Sequence, residues 1–168
     1  MADATYNRIV RLVGNDTIKI NGKILNDFPH ADIGKITFAT ELATVKTGKN
    51  QNAIFASNES GNQATLELKV LRGSTDDTFL NNLLILQKSD LPSFVLLTGE
   101  LVKRIGRGNG TLDGTSITTP SVIDNDTYIL TSGIFTKMPE VTSNVEGDVE
   151  QAVTTFTMQF AVATRKIA

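Results

Sequence analysis

The sequence predicts a mainly β fold, an antiparallel β-sandwich or barrel with one flanking α-helix at about residues 75–88. Two stretches, Ala64–Leu71 and Thr154–Arg165, alternate apolar and polar residues with period two, as strands with one wet face do. One stretch, Asp76–Gln87, carries apolar residues at helical spacing. Turn-forming residues separate the strand-like segments at short intervals. Several strands and one helix in 168 residues point to a single domain, long enough to bury a core without disulfides.

Asn7–Val13 and Thr17–Ile20 read as strands. Asn21-Gly22 supplies two residues that tolerate positive φ, a strong hairpin signal, and Lys23–Leu25 is the short return. Asn26-Asp-Phe-Pro29 reads as a turn, since Pro29 removes a donor and extends Phe28. Gly34–Val45 reads as one long strand in which Ile36 and Phe38 share a face. A polar loop, Lys46–Asn52, then protrudes before a strand at Ala53–Ser57 and a turn at Asn58–Asn62. In Ala64–Leu71, Leu66, Leu68 and Val70 face one way, and Thr65, Glu67 and Lys69 the other.

Ser74 is placed as the helix N-cap, with Asp76 and Asp77 in the first turn, where the helix dipole favours carboxylates. Phe79, Leu80, Leu83 and Leu84, with Leu86 beyond them, form the stripe expected to pack on a sheet. Pro92 closes the helical segment. Phe94–Ile105 reads as a buried strand. Gly106–Asp126, rich in Gly and Asn and poor in apolar residues, reads as a long loop or insertion. Tyr128–Lys137 and Thr154–Arg165 are the last strands; in the second, Phe156, Met158, Phe160 and Val162 are placed on the core face. Between them lies an acidic, exposed segment, Pro139–Gln151.

Composition excludes several classes of function. Sixteen basic against 18 acidic residues leave a net charge of −2, unlike the basic excess of duplex-binding proteins. There is no cysteine, hence no disulfide, thiolate metal site or cysteine nucleophile. The amino terminus has no basic and apolar leader pattern, so no secretory signal is expected. The longest apolar runs, Leu83–Leu86 and Phe94–Leu97, are too short to span a membrane, and no membrane anchor is expected.

Candidate chemistry is sparse. His30 is the only histidine, and no partner at catalytic or metal-ligand spacing accompanies it. Gly106-Arg-Gly-Asn-Gly110 lacks the Lys-Ser/Thr and the following helix of a phosphate loop. Lys103, Arg104 and Arg107 form a small basic cluster that reads as a solvated face. Asp124-Asn-Asp126 lacks the rest of a calcium loop. No nucleophile–base set or marked carboxylate pair is visible, so no catalytic residue, cofactor or metal is assigned and no enzymatic activity is expected.

The segments Lys46-Thr-Gly-Lys-Asn-Gln-Asn52, Ala53-Ile-Phe-Ala-Ser57, Asn58-Glu-Ser-Gly-Asn62, Ala64–Val70, Ser74-Thr-Asp-Asp77 and Phe79–Leu84, in that order, resemble tail tube proteins of tailed bacteriophages. The resemblance spans residues 16 to 90. It implies a small β-sandwich or barrel with one flanking helix, forming commonly hexameric rings that stack into a hollow conduit for DNA ejection. It implies no cofactor. The partners would be other copies of the chain, further tail proteins (a sheath if the tail is contractile, baseplate, terminator) and DNA passing without specific binding. The location would be the virion tail, assembled in the host cytoplasm. On this reading the inter-subunit contact uses Lys46, Lys49, Asn50, Asn52, Ile54 and Phe55, with Glu146 and Glu150 complementing the lysines across a junction. The alternatives are a β-sandwich ligand- or carbohydrate-binding module, or the tube of a tail-like secretion or bacteriocin particle.

Overall fold

Pairing between strands distant in sequence organises the molecule. The computed structural model describes residues 4–12, 16–30, 32–113, 116–118 and 122–167. Its strands are β1 (Ala4–Leu12), β2 (Thr17–Ile20), β3 (Lys23–Leu25), β4 (Gly34–Thr37), β5 (Ala43–Thr47), β6 (Ala53–Ser57), β7 (Ala64–Leu71), β8 (Leu97–Asp113), β9 (Ser116–Thr118), β10 (Val122–Lys137) and β11 (Val153–Ile167). One helix, α1 (Thr75–Ser89), lies between β7 and β8. The fold is mainly β, with 51% of residues in strands and a curled, antiparallel half-barrel sheet beside the helix. Seven strands run in the order β3-β2-β8-β10-β11-β7-β4, and β1 and β9 add to β8. β5 and β6 form a separate two-stranded sheet.

Local signals account for many boundaries. Asn21 and Gly22 adopt φ of 50° and 81°, and this turn pairs β2 with β3 from Ile20 and Lys23 onward. The Ser74 hydroxyl accepts the Asp77 amide at 3.2 Å and caps α1. β7 keeps strict alternation, burying Leu66, Leu68 and Val70. These join Ile18 and Ile20 of β2, Leu130 of β10, Phe156, Met158 and Phe160 of β11, and Leu80 and Leu84 of α1 in one buried cluster. Each such fully buried side chain contributes about 1.5–3 kcal/mol of transfer free energy.

The centre of the cluster is an aromatic ring lying on glycines. Phe160 pairs with Gly133 across β11 and β10. A Cβ on Gly133 would overlap the Phe160 ring, and one on Gly99 would lie 3.3 Å from its Cζ. Gly133 has no positive φ; its missing side chain makes room for the ring.

Two polar devices seat the helix. The Asp76 carboxylate is buried, at 4% exposure. It accepts the amides of Asn26 at 2.6 Å and Asp27 at 2.8 Å, and pairs with Lys23 Nζ at 3.4 Å. In return the Asp76 amide donates to Asp27 Oδ2 at 3.3 Å. Asp76 therefore holds a tertiary junction as well as meeting the helix dipole. At the other end, Gln87 Nε2 donates to the Phe135 carbonyl and Gln87 Oε1 accepts the Phe135 amide, both at 2.8 Å. The amide group pairs with β10 as a neighbouring strand would.

The structure corrects several boundaries. Gly34–Val45 is not one strand: β4 ends at Thr37, opposite Thr65, where β7 is about to run out, and Phe38 is exposed. Leu86 faces solvent, because two residues beyond the buried Leu84 the helix has turned to its other side. The strand expected at Phe94 begins at Leu97, and Val95 is exposed.

The described residues of Gly106–Asp126, expected as a loop or insertion, are strand. β8 runs on to Asp113 and β10 begins at Val122, with β9 between them; 114–115 and 119–121, like Val13, lie outside the described residues. Gly106, Gly108 and Gly110 pair with Arg11, Ile9 and Tyr6 of β1, and Arg107 with Val122 of β10. Ladder bonds use backbone groups, so a strand flanked on both sides needs few apolar residues.

Val162 is exposed and Ala163 is buried in its place. Val162 pairs with Thr131, next to Ser132, which has φ of 58° and lies where the β8–β10 register shifts. This β-bulge turns the sheet and moves the burial phase of both strands by one residue.

Arg165 grips Asp126 through two hydrogen bonds, at 2.8 and 2.9 Å. The hydrogen bond from Arg165, aided by the Arg165 and Lys103 charges, holds the Asp126 carboxyl below its ordinary pKa against the opposing effect of burial.

Gly133→Ala drives a methyl into the Phe160 ring and should cost about 1–3 kcal/mol in urea unfolding, with a smaller loss in a Phe160→Leu background. The stability supplied by the lowered Asp126 pKa is complete above the unfolded-state value of about 3.9 and fades as pH falls through the folded-state value. Asp126→Asn should therefore be less stable than the parent at pH 7, and the two unfolding curves should converge in acid.

Candidate subunit interface

β5 and β6 build an arm with no core of its own. Val45 pairs with Phe55 and Lys46 with Ile54, so these pairs occupy opposite faces of the ribbon. Every residue of both strands is exposed. Phe55 is 75% exposed, Ile54 71% and Val45 57%. Apolar side chains thus stand in water on both faces. A lone two-stranded hairpin is marginal in water, and this one places its largest side chains where the chain itself does not cover them.

The arm is held at both ends. At its tip the Gly48 amide donates to the Asn52 carbonyl at 2.7 Å and the Gln51 amide to the Gly48 carbonyl at 3.2 Å. The ladder reaches Thr47 and Ala53, so the expected Lys46–Asn52 loop shrinks to Gly48–Asn52 and Lys46 belongs to β5. At the base, the Asn58 amide donates to the Leu42 carbonyl at 2.7 Å. The Asn58 side chain accepts the Ser60 amide and caps a 3-10 turn, Glu59–Asn62. Within that turn, Gly61 is buried so tightly that a Cβ would lie 2.8 Å from the Glu41 carbonyl oxygen and the Leu42 Cα. The glycine lets two backbones touch and sets the direction in which the arm leaves the sheet.

The expected contact residues fall into two groups. Lys46, Lys49, Asn50, Asn52, Ile54 and Phe55 all lie exposed on the arm. Glu146 is exposed in the segment between β10 and β11, where its amide donates to Asn144 Oδ1 at 3.0 Å. The Glu150 side chain lies outside the described residues. Among the described residues no ion pair joins Glu146 to Lys46 or Lys49 within the chain. Sequence reading did not single out Val45, although counting back from the Gly48 tip places it opposite Phe55. It also missed Val141, Val145 and Val149, which stand exposed among the acidic residues.

The candidate chemical sites do not assemble. His30 is exposed. Gly106–Gly110 lies within β8, so it opens no helix and presents no ring of amides to a phosphate. Lys103 is engaged by Asp16 at 3.3 Å, and Asp126 by Arg165. Among the described residues no three His, Asp or Glu side chains group as a metal site requires. An open cleft of about 440 Å³ beside β4 and β7 is lined by Asp32, Lys35, Glu67 and Lys69, charges of both signs. Among the described residues no helix is long and apolar enough to cross a membrane.

Gln51 occupies the left-handed region, with φ of 65°, where an L side chain costs about 1 kcal/mol or more. Gln51→Gly should tighten the arm and slow hydrogen exchange of the amides that pair Lys46 with Ile54; unchanged or faster exchange would show that the tip does not limit arm opening.

Comparison of the chain with protein-family profiles and with curated proteins finds no match.

Proposed function

We propose that this chain is a structural subunit that assembles with copies of itself into stacked rings, commonly hexameric in proteins it resembles, forming a hollow tube of the bacteriophage-tail kind. The observation that carries this reading is the β5–β6 arm. It is braced at its base and unsupported along its length, and Phe55, Ile54 and Val45 are left uncovered. Exposed aromatic and aliphatic side chains on a fixed arm suit docking into a neighbour.

The sheet supports the same reading. It is open, with β3 and β4 at the ends of the strand order and β1 paired to β8. Unpaired strand edges invite pairing with another chain, and a repeated head-to-tail contact closes into a ring or continues as a filament. In such a tube DNA would slide past a wall that holds no phosphates, and the net charge of −2 suits that role. Baseplate and terminator proteins, and a sheath if the tail is contractile, would be the other partners, and the site of action would be the virion tail, assembled in the host cytoplasm.

The test is negative-stain microscopy across a concentration series, with Phe55→Asp as the matched variant. The parent should give annuli and cylinders. Phe55→Asp, at an exposed position, should keep the parent circular dichroism and remain dispersed. Cylinders from Phe55→Asp, or a parent that stays monomeric at millimolar concentration, would overturn the proposal.

A further inference from the structure

We infer that the β5–β6 arm of one copy docks on the Met138–Ala152 segment of the next, so that the assembly contact is heterologous. This rests on the self-assembly reading above and names the two surfaces it uses.

Charge and apolar content both match. Residues 43–57 contain Lys46 and Lys49 and no acidic residue. Residues 138–152 contain Glu140, Glu146, Asp148 and Glu150 and no basic residue. Each surface also carries unburied apolar groups: Val45, Ile54 and Phe55 on the arm; Val141, Val145 and Val149 on the segment. Val149 is 82% exposed. An acidic run that is merely solvated has no need of aliphatic residues interleaved through it.

The segment is anchored to the body at its C-terminal end. Arg72 Nε donates to the Gln151 carbonyl at 2.7 Å and Arg72 Nη2 to the Val153 carbonyl at 3.2 Å. The Arg72 amide donates to the Ala152 carbonyl at 2.7 Å. Within it, the Gln151 amide donates to the Asp148 carbonyl at 3.1 Å, and Gly147 supplies a turn at φ of 65°. It therefore offers a shaped surface.

Both surfaces are exposed in the same chain, so neither covers the other there. Contact between them has to join two copies. Because the surfaces differ, that contact is head-to-tail, and it propagates into a ring or a helical array in place of a closed two-fold dimer. Opposite charges set the register and speed the encounter, and the aliphatic and aromatic groups hold the contact.

The absence of native cysteine makes the contact directly testable. Thr47→Cys and Ser143→Cys lie beside the two surfaces, at exposed positions, and leave the apolar and charged groups in place. Treated with a short bis-maleimide, the double variant should give a ladder of covalent oligomers, and each single variant should give none. Lys46→Glu/Lys49→Glu should raise the concentration needed for assembly about tenfold or more, and Glu140→Lys/Glu146→Lys in the same chain should restore it. Annuli on the grid without a ladder would overturn this pairing while leaving self-assembly standing. A double variant and a parent that both stay monomeric would remove the self-assembly reading, and this pairing with it.

Discussion

The structure depends on the contact between Phe160 and the glycines beneath it. β10 and β11 can pair at this level only because Gly133 vacates the space that the ring fills. Gly99 on β8 lies under the same ring, and Leu130 and Ile20 close around it. One aromatic side chain thus spans several strands of the curled sheet. Its position also fixes where the sheet bends, since Ser132 and the register shift in β10 sit next to Gly133. Beyond the bulge, burial passes from Phe160 to Ala163 in β11.

The helix completes the core from one side, and its attachment is polar as much as apolar. Leu80 and Leu84 supply the buried area. Asp76 and Gln87 fix the two ends, each satisfying two backbone amide or carbonyl groups of the chain it meets. Such bonds add modestly to stability but strongly restrict where the helix can sit, because a buried carboxylate or backbone group left unpaired is costly. The junction at Asp76 ties α1 to the chain leaving β3, and the junction at Gln87 ties it to β10.

Beside this packed body, the β5–β6 arm and the Met138–Ala152 segment stand apart. Their apolar residues find no cover within the chain. In the body, the ion pairs Lys23–Asp76 and Arg165–Asp126 serve packing. The surplus apolar surface and the opposite charges of the two exposed regions carry the functional reading.

Residues that speak through period and turn chemistry were legible in the amino-acid order alone. β2, β3, β6 and β7 and the Ser74 cap follow from alternation, Asn21-Gly22 and a hydroxyl before two carboxylates, all of which act within a few residues. The exposed arm was legible too, because Lys46–Asn52 is polar and lies between strand-like segments. Where a strand needs a distant partner, the local signal failed in both directions. Gly34–Val45 alternates but loses β7 after Thr37, and it breaks. Gly106–Asp113 has no apolar pattern but gains β1 on one side and β10, then β9, on the other, and it extends. The same reason hid the roles of Gly61, Gly133, Asp76 and Gln87. Each answers to atoms many residues away, through close approach or a backbone hydrogen bond, and only the folded chain brings those atoms together.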